Sequence, residues 1–218
     1  VEENLKFFGR TYGLRGDSLR ERIQFVLKMA DLIGREKTAG RELAGGFRQR
    51  MALGAAILHD PELIFLDEPT AGVDPVSRRS FWELLYRLVN DEGVTVFVTT
   101  HYMDEAEQCQ EVAFIHGGKI VAQGSPVQLK ETLMRGMVIE LTPDDPPEAM
   151  RLLKQAQTEG KLTADDVALY GAQIHLVAQD AALTQQQLTN VLQAGNVPFD
   201  PPEVILPSLE DVFLSAIR

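Results

Sequence analysis

Residues 63–74 read Leu-Ile-Phe-Leu-Asp-Glu-Pro-Thr-Ala-Gly-Val-Asp. Four apolar residues deliver an adjacent Asp67–Glu68 pair, and Pro69 stops the strand because it offers no amide to a ladder. Carboxylates set together at the end of a buried strand are costly unless they meet a cation or a reacting group. The segment points to metal-assisted phosphate chemistry. Asp67 is the candidate metal residue, because Mg²⁺ is hard, prefers oxygen and keeps several waters, so one carboxylate supplemented by substrate phosphates suits it. Glu68 is the candidate to polarise a water for attack on a terminal phosphate. An ordinary Asp-Glu turn after a strand explains this segment equally well in isolation, so the neighbouring segments have to decide.

Two of them do. The β-branched run Val94–Thr99 reads as a continuous strand of the kind buried in parallel sheets, and it ends in Thr100-His101. Both strands then present polar groups at their carboxyl ends, where open α/β sheets bind ligands. A histidine at that end, His101, can sense or stabilise a γ-phosphate by hydrogen bonding, and taken alone it reads equally as an ordinary helix-start residue. Upstream, Leu43-Ala44-Gly45-Gly46-Phe47-Arg48-Gln49-Arg50 opens a helix over about 47–58. Paired glycines bare backbone N–H groups at a helix start, where the dipole favours an anion. Asp74-Pro75 starts a further helix with Phe81, Leu84, Leu85 and Leu88 at core spacing. Helices are also expected over 3–14, closed by Gly13, and from a cap at Asp17-Ser18 to Gly34. His59, His116 and His175 lie at loop, hairpin and strand positions without metal-ligand spacing.

Farther along, a short helix over 103–108 leads to strands 112–115 and 119–122 around the Gly117-Gly118 turn, and Ser125-Pro126 opens another helix ending near Gly136. Beyond it the composition changes. The expected order is strand 137–142, helix 147–159, strands 166–170 and 173–178, helix 184–194, strand 203–206 and helix 208–217. This is the split β-α-β pattern of small ferredoxin-like modules. Asp144-Asp145 and Asp165-Asp166 read as solvated turns.

The 218 residues carry a net charge of −11, which argues against broad binding to a nucleic-acid backbone but leaves room for one bound nucleotide. No apolar run approaches the roughly 20 residues a membrane helix needs, and no secretory signal opens the chain. The single Cys109 cannot form an internal disulfide, which fits a reducing cytosol, and it reads as structural.

In this order and spacing the segments resemble the ATP-binding-cassette (ABC) ATPases. Leu43–Phe47 matches the family's Leu-Ser-Gly-Gly-Gln signature, Leu63–Glu68 its Walker B strand, Ala71–Asp74 its D-loop and His101 its switch histidine. The resemblance covers residues 1–134. It implies an α/β fold, a partial P-loop NTPase cassette, with a mostly helical signature part over 1–58 and a Walker B, D-loop and H-loop part over 59–134. A small α+β accessory module of ferredoxin-like order would follow over 135–218. Pro207–Leu214 resembles the closing segment of cassettes that drive drug, lipid or polysaccharide exporters.

The resemblance also implies roles. Two cassettes meet head to tail with ATP between them. Glu68 would be the general base, Asp67 would hold Mg²⁺ through water, and His101 would contact the γ-phosphate. Leu43, Ala44, Gly45, Gly46 and Phe47 would face the partner's nucleotide, and Asp74 would communicate across the dimer interface. A transmembrane permease subunit, docked near residues 1–40, would place the protein peripherally on the cytoplasmic face of the cell membrane.

The chain departs from the pattern at three points. Ala44 replaces a serine, which removes a hydroxyl donor worth roughly 1.5–3 kcal/mol toward a charged group. Phe47 replaces glutamine and would pack on the partner cassette or on a flanking helix. Most important, Gly-x-x-x-x-Gly-Lys-Ser/Thr, the phosphate cradle, occurs nowhere in the chain. The chain begins at Val1, in what reads as a helix already inside a domain, so a fragment lacking the P-loop portion is expected, inactive by itself. The competing readings are a degenerate, non-enzymatic cassette serving a competent partner, and a non-transport ABC ATPase.

Overall fold

The helical period of the first part of the chain folds into α1 (Glu2–Thr11), α2 (Gly16–Met29) and α3 (Gly45–Ala56), preceded by a single 3-10 turn over Gly40–Glu42. The structure, a computed structural model, describes residues 1–134 and 136–217. They form two compact units, Val1–His101 and the residues from Tyr102 onward. The segment 102–134, read from the sequence as the end of the cassette, groups with the second unit, so compactness and the boundary read at 134 divide the chain differently.

In the first unit, α1 buries Leu5, α2 buries Leu19, Ile23, Val26 and Leu27, and α3 buries Leu53 and Ala55. A Cβ on Gly54 would lie 2.6 Å from Val26 Cγ1, so the close crossing of α2 and α3 requires glycine. Helix α2 differs from expectation at both ends. It starts at Gly16, before Asp17-Ser18, and Asp17 lies in its first turn, paired with Arg20. It stops at Met29, well before Gly34, because Asp31 takes a left-handed φ of 55° and the Leu32 amide donates back to Leu27 O at 2.8 Å. The guanidinium of Arg22 donates to the carbonyls of Ile57 and Leu58 at 2.8 and 2.9 Å, closing the end of α3 where the chain turns toward the sheet.

Strands β1 (Leu63–Asp67) and β2 (Thr95–Thr99) pair in parallel, with Asp67 opposite Thr99. Helix α4 (Pro75–Asn90) connects them and packs on β2, burying Phe81, Trp82, Leu84, Leu85 and Leu88. A parallel pair needs such a crossover. The expectation that β2 is buried on both faces is not met. Phe65 and Phe97, directly opposite in the ladder, are 72% and 56% exposed.

The second unit begins with α5 (Met103–Ala106) and a hairpin of β3 (Val112–His116) and β4 (Lys119–Gly124). Gly117 and Gly118 both have positive φ, as a two-residue type I′ turn demands. Next comes α6 (Pro126–Leu133), held by a Ser125–Gln128 capping box. The rest is β5 (Met137–Leu141), α7 (Pro146–Thr158), β6 (Asp166–Tyr170), β7 (Gln173–Ala178), α8 (Ala181–Ala194), β8 (Glu203–Ile205) and α9 (Leu209–Ala216). The sheet order is β6-β7-β5-β8, antiparallel throughout, which is the ferredoxin-like topology expected from the element order. One set of alternating residues, including Ile139, Leu141, Ile174 and Leu176, packs with α7 and α8 residues such as Leu153 and Leu188. On the other face Val138 joins Leu209 and Val212 of α9 with Phe114 and Leu129. Asp145, expected in a solvated turn, caps α7 by accepting from the Glu148 amide at 3.1 Å.

Candidate functional site

The parallel register of β1 and β2 decides which polar groups meet. Because Asp67 pairs with Thr99, the hydroxyl of Thr99 reaches Asp67 and donates to its Oδ1. The chain then leaves β1 in a single step. The Glu68 amide donates to Thr99 O at 3.0 Å and also lies 3.2 Å from Thr99 Oγ1. Glu68 itself has φ +43°, a left-handed conformation that costs a non-glycine residue on the order of 1–2 kcal/mol. Strain of this kind persists where the surroundings fix it, and functional sites collect it. Its effect is to turn the Glu68 side chain off the strand and toward the end of β2, where Oε1 lies 3.3 Å from Nδ1 of His101. Asp67, Glu68 and His101, expected separately from the sequence, thus meet at the carboxyl ends of two neighbouring parallel strands. Both members of the Glu68–His101 pair are about half exposed, so the group is open to a ligand.

Sequence reasoning missed Thr99 as a member of this group. Its signal was present in outline, since a hydroxyl residue ends the strand beside the acidic doublet, but only the register says that it faces Asp67.

The diglycine segment sits at the start of α3. Ala44 is the N-cap residue and makes no side-chain capping bond, so the first α3 amides lack both an intrahelical acceptor and a capping oxygen. The two glycines have different reasons to exist. A Cβ on Gly46 would lie 2.6 Å from Ser77 Cβ, so packing against α4 demands glycine there. A Cβ on Gly45 would meet nothing within 4 Å, so no contact inside the chain requires its bareness. Asp74 caps α4 by accepting from the Ser77 amide at 3.0 Å, and the Ser77 side chain and amide hold its carboxyl below the usual range. The Gly46–Ser77 contact therefore brings the diglycine tip beside the helix start that carries Asp74. Leu43, only 5% exposed, is a core residue that anchors the segment.

Phe47 packs inside its own unit. The Arg35 guanidinium lies 3.9 Å above its ring and that of Arg50 lies 5.4 Å away, while Arg50 also pairs with Asp31 at 3.0 Å. Arg35 gave no sequence signal, because it reaches the ring from the loop after α2.

The residues suit a hydrated magnesium ion better than a protein-made cage. Among the described residues no three His, Cys, Asp or Glu side chains form a metal-binding group. Asp67 supplies one hard carboxylate, oriented by Thr99, which leaves the other positions to water and phosphate oxygens. Cys109 is half buried, and burial followed by the charge of Glu105 pushes its thiol pKa up, so it is not activated.

An α/β layer with acidic and imidazole groups at its strand ends, fed by a helical part carrying a bare diglycine tip, is the fold of an ABC ATPase cassette. The comparisons agree. Residues 1–71 match the ABC transporter family model. The probable multidrug ABC transporter ATP-binding protein YbhF of Escherichia coli K12 is 47% identical over 133 residues, covering 60% of this chain and 22% of that protein. The Nod factor export ATP-binding protein I of a Rhizobium species is 34% identical over 215 residues, 98% of this chain and 66% of that protein. Among solved structures, cbiO1 of Clostridium perfringens, part of the ABC transporter complex cbiONQ, aligns with a TM-score of 0.55 at 26% identity, covering 59% of this chain and 51% of that one. The chain belongs to the ABC transporter ATP-binding family. It spans less than two thirds of the length of these relatives.

Proposed function

We propose that this chain is the signature and Walker B part of the energy-coupling subunit of an ABC exporter. The observation that carries the reading is the junction at the strand ends, where Thr99 orients Asp67 and a left-handed Glu68 is aimed at His101. Glu68 holds the attacking water and takes its proton. His101 fixes the Glu68 carboxylate and contacts the γ-phosphate. Asp67 holds Mg²⁺ through water, and the ion, when bound, neutralises charge on the phosphates. The bare amides of Gly45 and Gly46 face the nucleotide of a second cassette in a head-to-tail dimer, and the open space at Gly45 lets that nucleotide approach the backbone. Asp74, on the helix start beside Gly46, lies at the dimer interface.

The phosphate cradle comes from outside these 218 residues, which contain no Gly-x-x-x-x-Gly-Lys-Ser/Thr. The exposed Phe65–Phe97 face supports the same view, because a buried parallel sheet of this type is covered on both sides. The partner is a transmembrane permease, and the site of action is the cytoplasmic membrane face. Among the described residues no helix is long and apolar enough to cross a membrane. The names of the multidrug and Nod factor relatives favour export.

Titration of a fluorescent ATP analogue tests the first part, and no binding at micromolar concentration is expected of the chain alone. ATPase assay of the assembled transporter tests the second. Glu68→Gln should abolish turnover while ATP binding persists, and undiminished turnover in that variant would overturn the assignment.

A further inference from the structure

His175 is the one histidine buried in the described structure, 6% exposed, and it is placed among carboxylates. Its Nδ1 lies 2.9 Å from Asp211 Oδ1 on α9, and its Nε2 lies 3.3 Å from Glu140 Oε2 on β5. Two carboxylates can both be satisfied only if both ring nitrogens carry protons, so the geometry is that of an imidazolium. The Tyr170 ring of β6 stacks on it at 4.1 Å with an interplanar angle of 11°. The Tyr170 hydroxyl lies 3.2 Å from Ser208 Oγ, and Ser208 Oγ in turn donates to Asp211 Oδ2 at 2.7 Å. Asp211 and Ser208 together form the capping box of α9. One side chain therefore ties three elements, β5, β7 and α9, and its neighbour from β6 closes the ring.

The charges around it are unbalanced. Asp211 and Glu210 belong to α9, Glu140 to β5, and Glu203 of β8 lies opposite Glu140 in the ladder. Tyr170 is the titratable group facing it from β6. The opposite face of β7 packs on an apolar core with α7 and α8. The imidazolium is the cation that the ion pairs put between Glu140 and Asp211. Remove its proton and two carboxylates are left facing a neutral ring that can donate to only one of them.

We propose that His175 is a proton-operated latch that fastens α9 to the sheet of the C-terminal module. Helix α9 is more than a passenger on that sheet. Leu209 and Val212 pack with Ala106, Phe114 and Leu129, and the Leu209 amide donates to Glu107 Oε1 at 3.1 Å. Opening the latch loosens the joint between the segment 102–134 and the ferredoxin-like sheet, which is where a regulatory module would act on the cassette end. Burial disfavours the charged ring, but the hydrogen bonds and charges of Asp211 and Glu140 outweigh it and hold the His175 pKa above the usual value. The folded ring thus binds its proton more tightly than the unfolded one. Its contribution is complete below the ordinary histidine pKa and is lost as pH rises through the raised value. Asp211 sets the other limit. Burial pushes its carboxyl up, but the hydrogen bonds of His175 and Ser208 pull it lower overall, so its contribution disappears only as pH falls through that lowered value. The latch is closed between these limits and opens on the alkaline side.

Amide hydrogen exchange of the full chain, followed by mass spectrometry and corrected for intrinsic exchange, reads the latch in peptides covering 209–216. Exchange there should rise as pH passes through the His175 midpoint, by about tenfold for each unit by which the closed pKa exceeds the open one. Peptides of α1 and α2 should show no such step. In His175→Gln the step should vanish, with α9 exchanging at the wild-type alkaline level throughout. Should that variant not fold, the wild-type imidazole titration followed by NMR decides by itself. A His175 midpoint at or below that of exposed histidines, or α9 protection that ignores pH across it, overturns the proposal.

Discussion

Thr99 Oγ1 donates to Asp67 Oδ1 across the parallel ladder, while the Thr99 carbonyl accepts from the amide of Glu68 at 3.0 Å. One residue at the end of β2 thus orients both members of the acidic pair at the end of β1. Replacing it tests whether the pairing matters. In the assembled transporter, Thr99→Val should lower ATP turnover by about tenfold, the low end for a hydrogen bond to a charged group because the site is exposed. Thr99→Ser should retain most activity. Steady-state ATPase kinetics at saturating Mg²⁺ separate the two variants.

The left-handed backbone at Glu68 sets stability against function. Glycine adopts φ +43° without a Cβ penalty, so Glu68→Gly should not lower the thermal midpoint of the chain although it removes the carboxylate proposed as the general base. Glu68→Val should destabilise by about 1–2 kcal/mol, because a β-branched residue resists this conformation. Differential scanning calorimetry of the two variants gives the comparison.

Phe65 and Phe97 lie opposite each other with ring centroids 5.6 Å apart on a face open to solvent. Such a patch invites association. The isolated chain should bind a hydrophobic dye and self-associate, and Phe65→Thr with Phe97→Thr should reduce both without loss of helical circular dichroism. In a complete cassette the same pair should destabilise by several kcal/mol, as large-to-small core changes do. Sedimentation and dye fluorescence of the isolated chain, and chemical denaturation of the complete one, test this pair of opposite signs.

Ser208 joins the α9 cap to the His175 ring through Asp211 and Tyr170. Ser208→Ala should cost about 1 kcal/mol, the usual loss for an N-cap. Urea unfolding near pH 6 would show it. Since Ser208 also helps hold the Asp211 carboxyl low, the variant should lose stability on acidification at a higher pH than wild type.

The linear order of residues carried much of this. Helix spans followed from apolar period, the hairpin from Gly117-Gly118, and the ferredoxin-like order from strand and helix alternation. Glu68, Asp67 and His101 were legible because strand ends are marked by a change from apolar to polar residues. Less local features were not. The end of α2 depended on Asp31 adopting a left-handed turn, which no residue type there demands. The cap of α8, Asp180, preceded the apolar period and so escaped it. Phe47 was visible as a departure from the signature, but its arginine partners come from the loop after α2 and from α3 itself.

What the sequence determined by itself was the set of candidate groups: an acidic doublet after an apolar strand, a downstream histidine and a diglycine helix start, with no Gly-x-x-x-x-Gly-Lys-Ser/Thr among the 218 residues. These are properties of residue type and short-range order. Tertiary structure decided which groups meet. Parallel register put Thr99 against Asp67, a left-handed Glu68 turned toward His101, and antiparallel pairing with α9 on top enclosed His175 between Glu140 and Asp211, 35 and 36 residues away along the chain. Such meetings depend on how strands and helices stack, and neighbouring residues along the chain do not encode them.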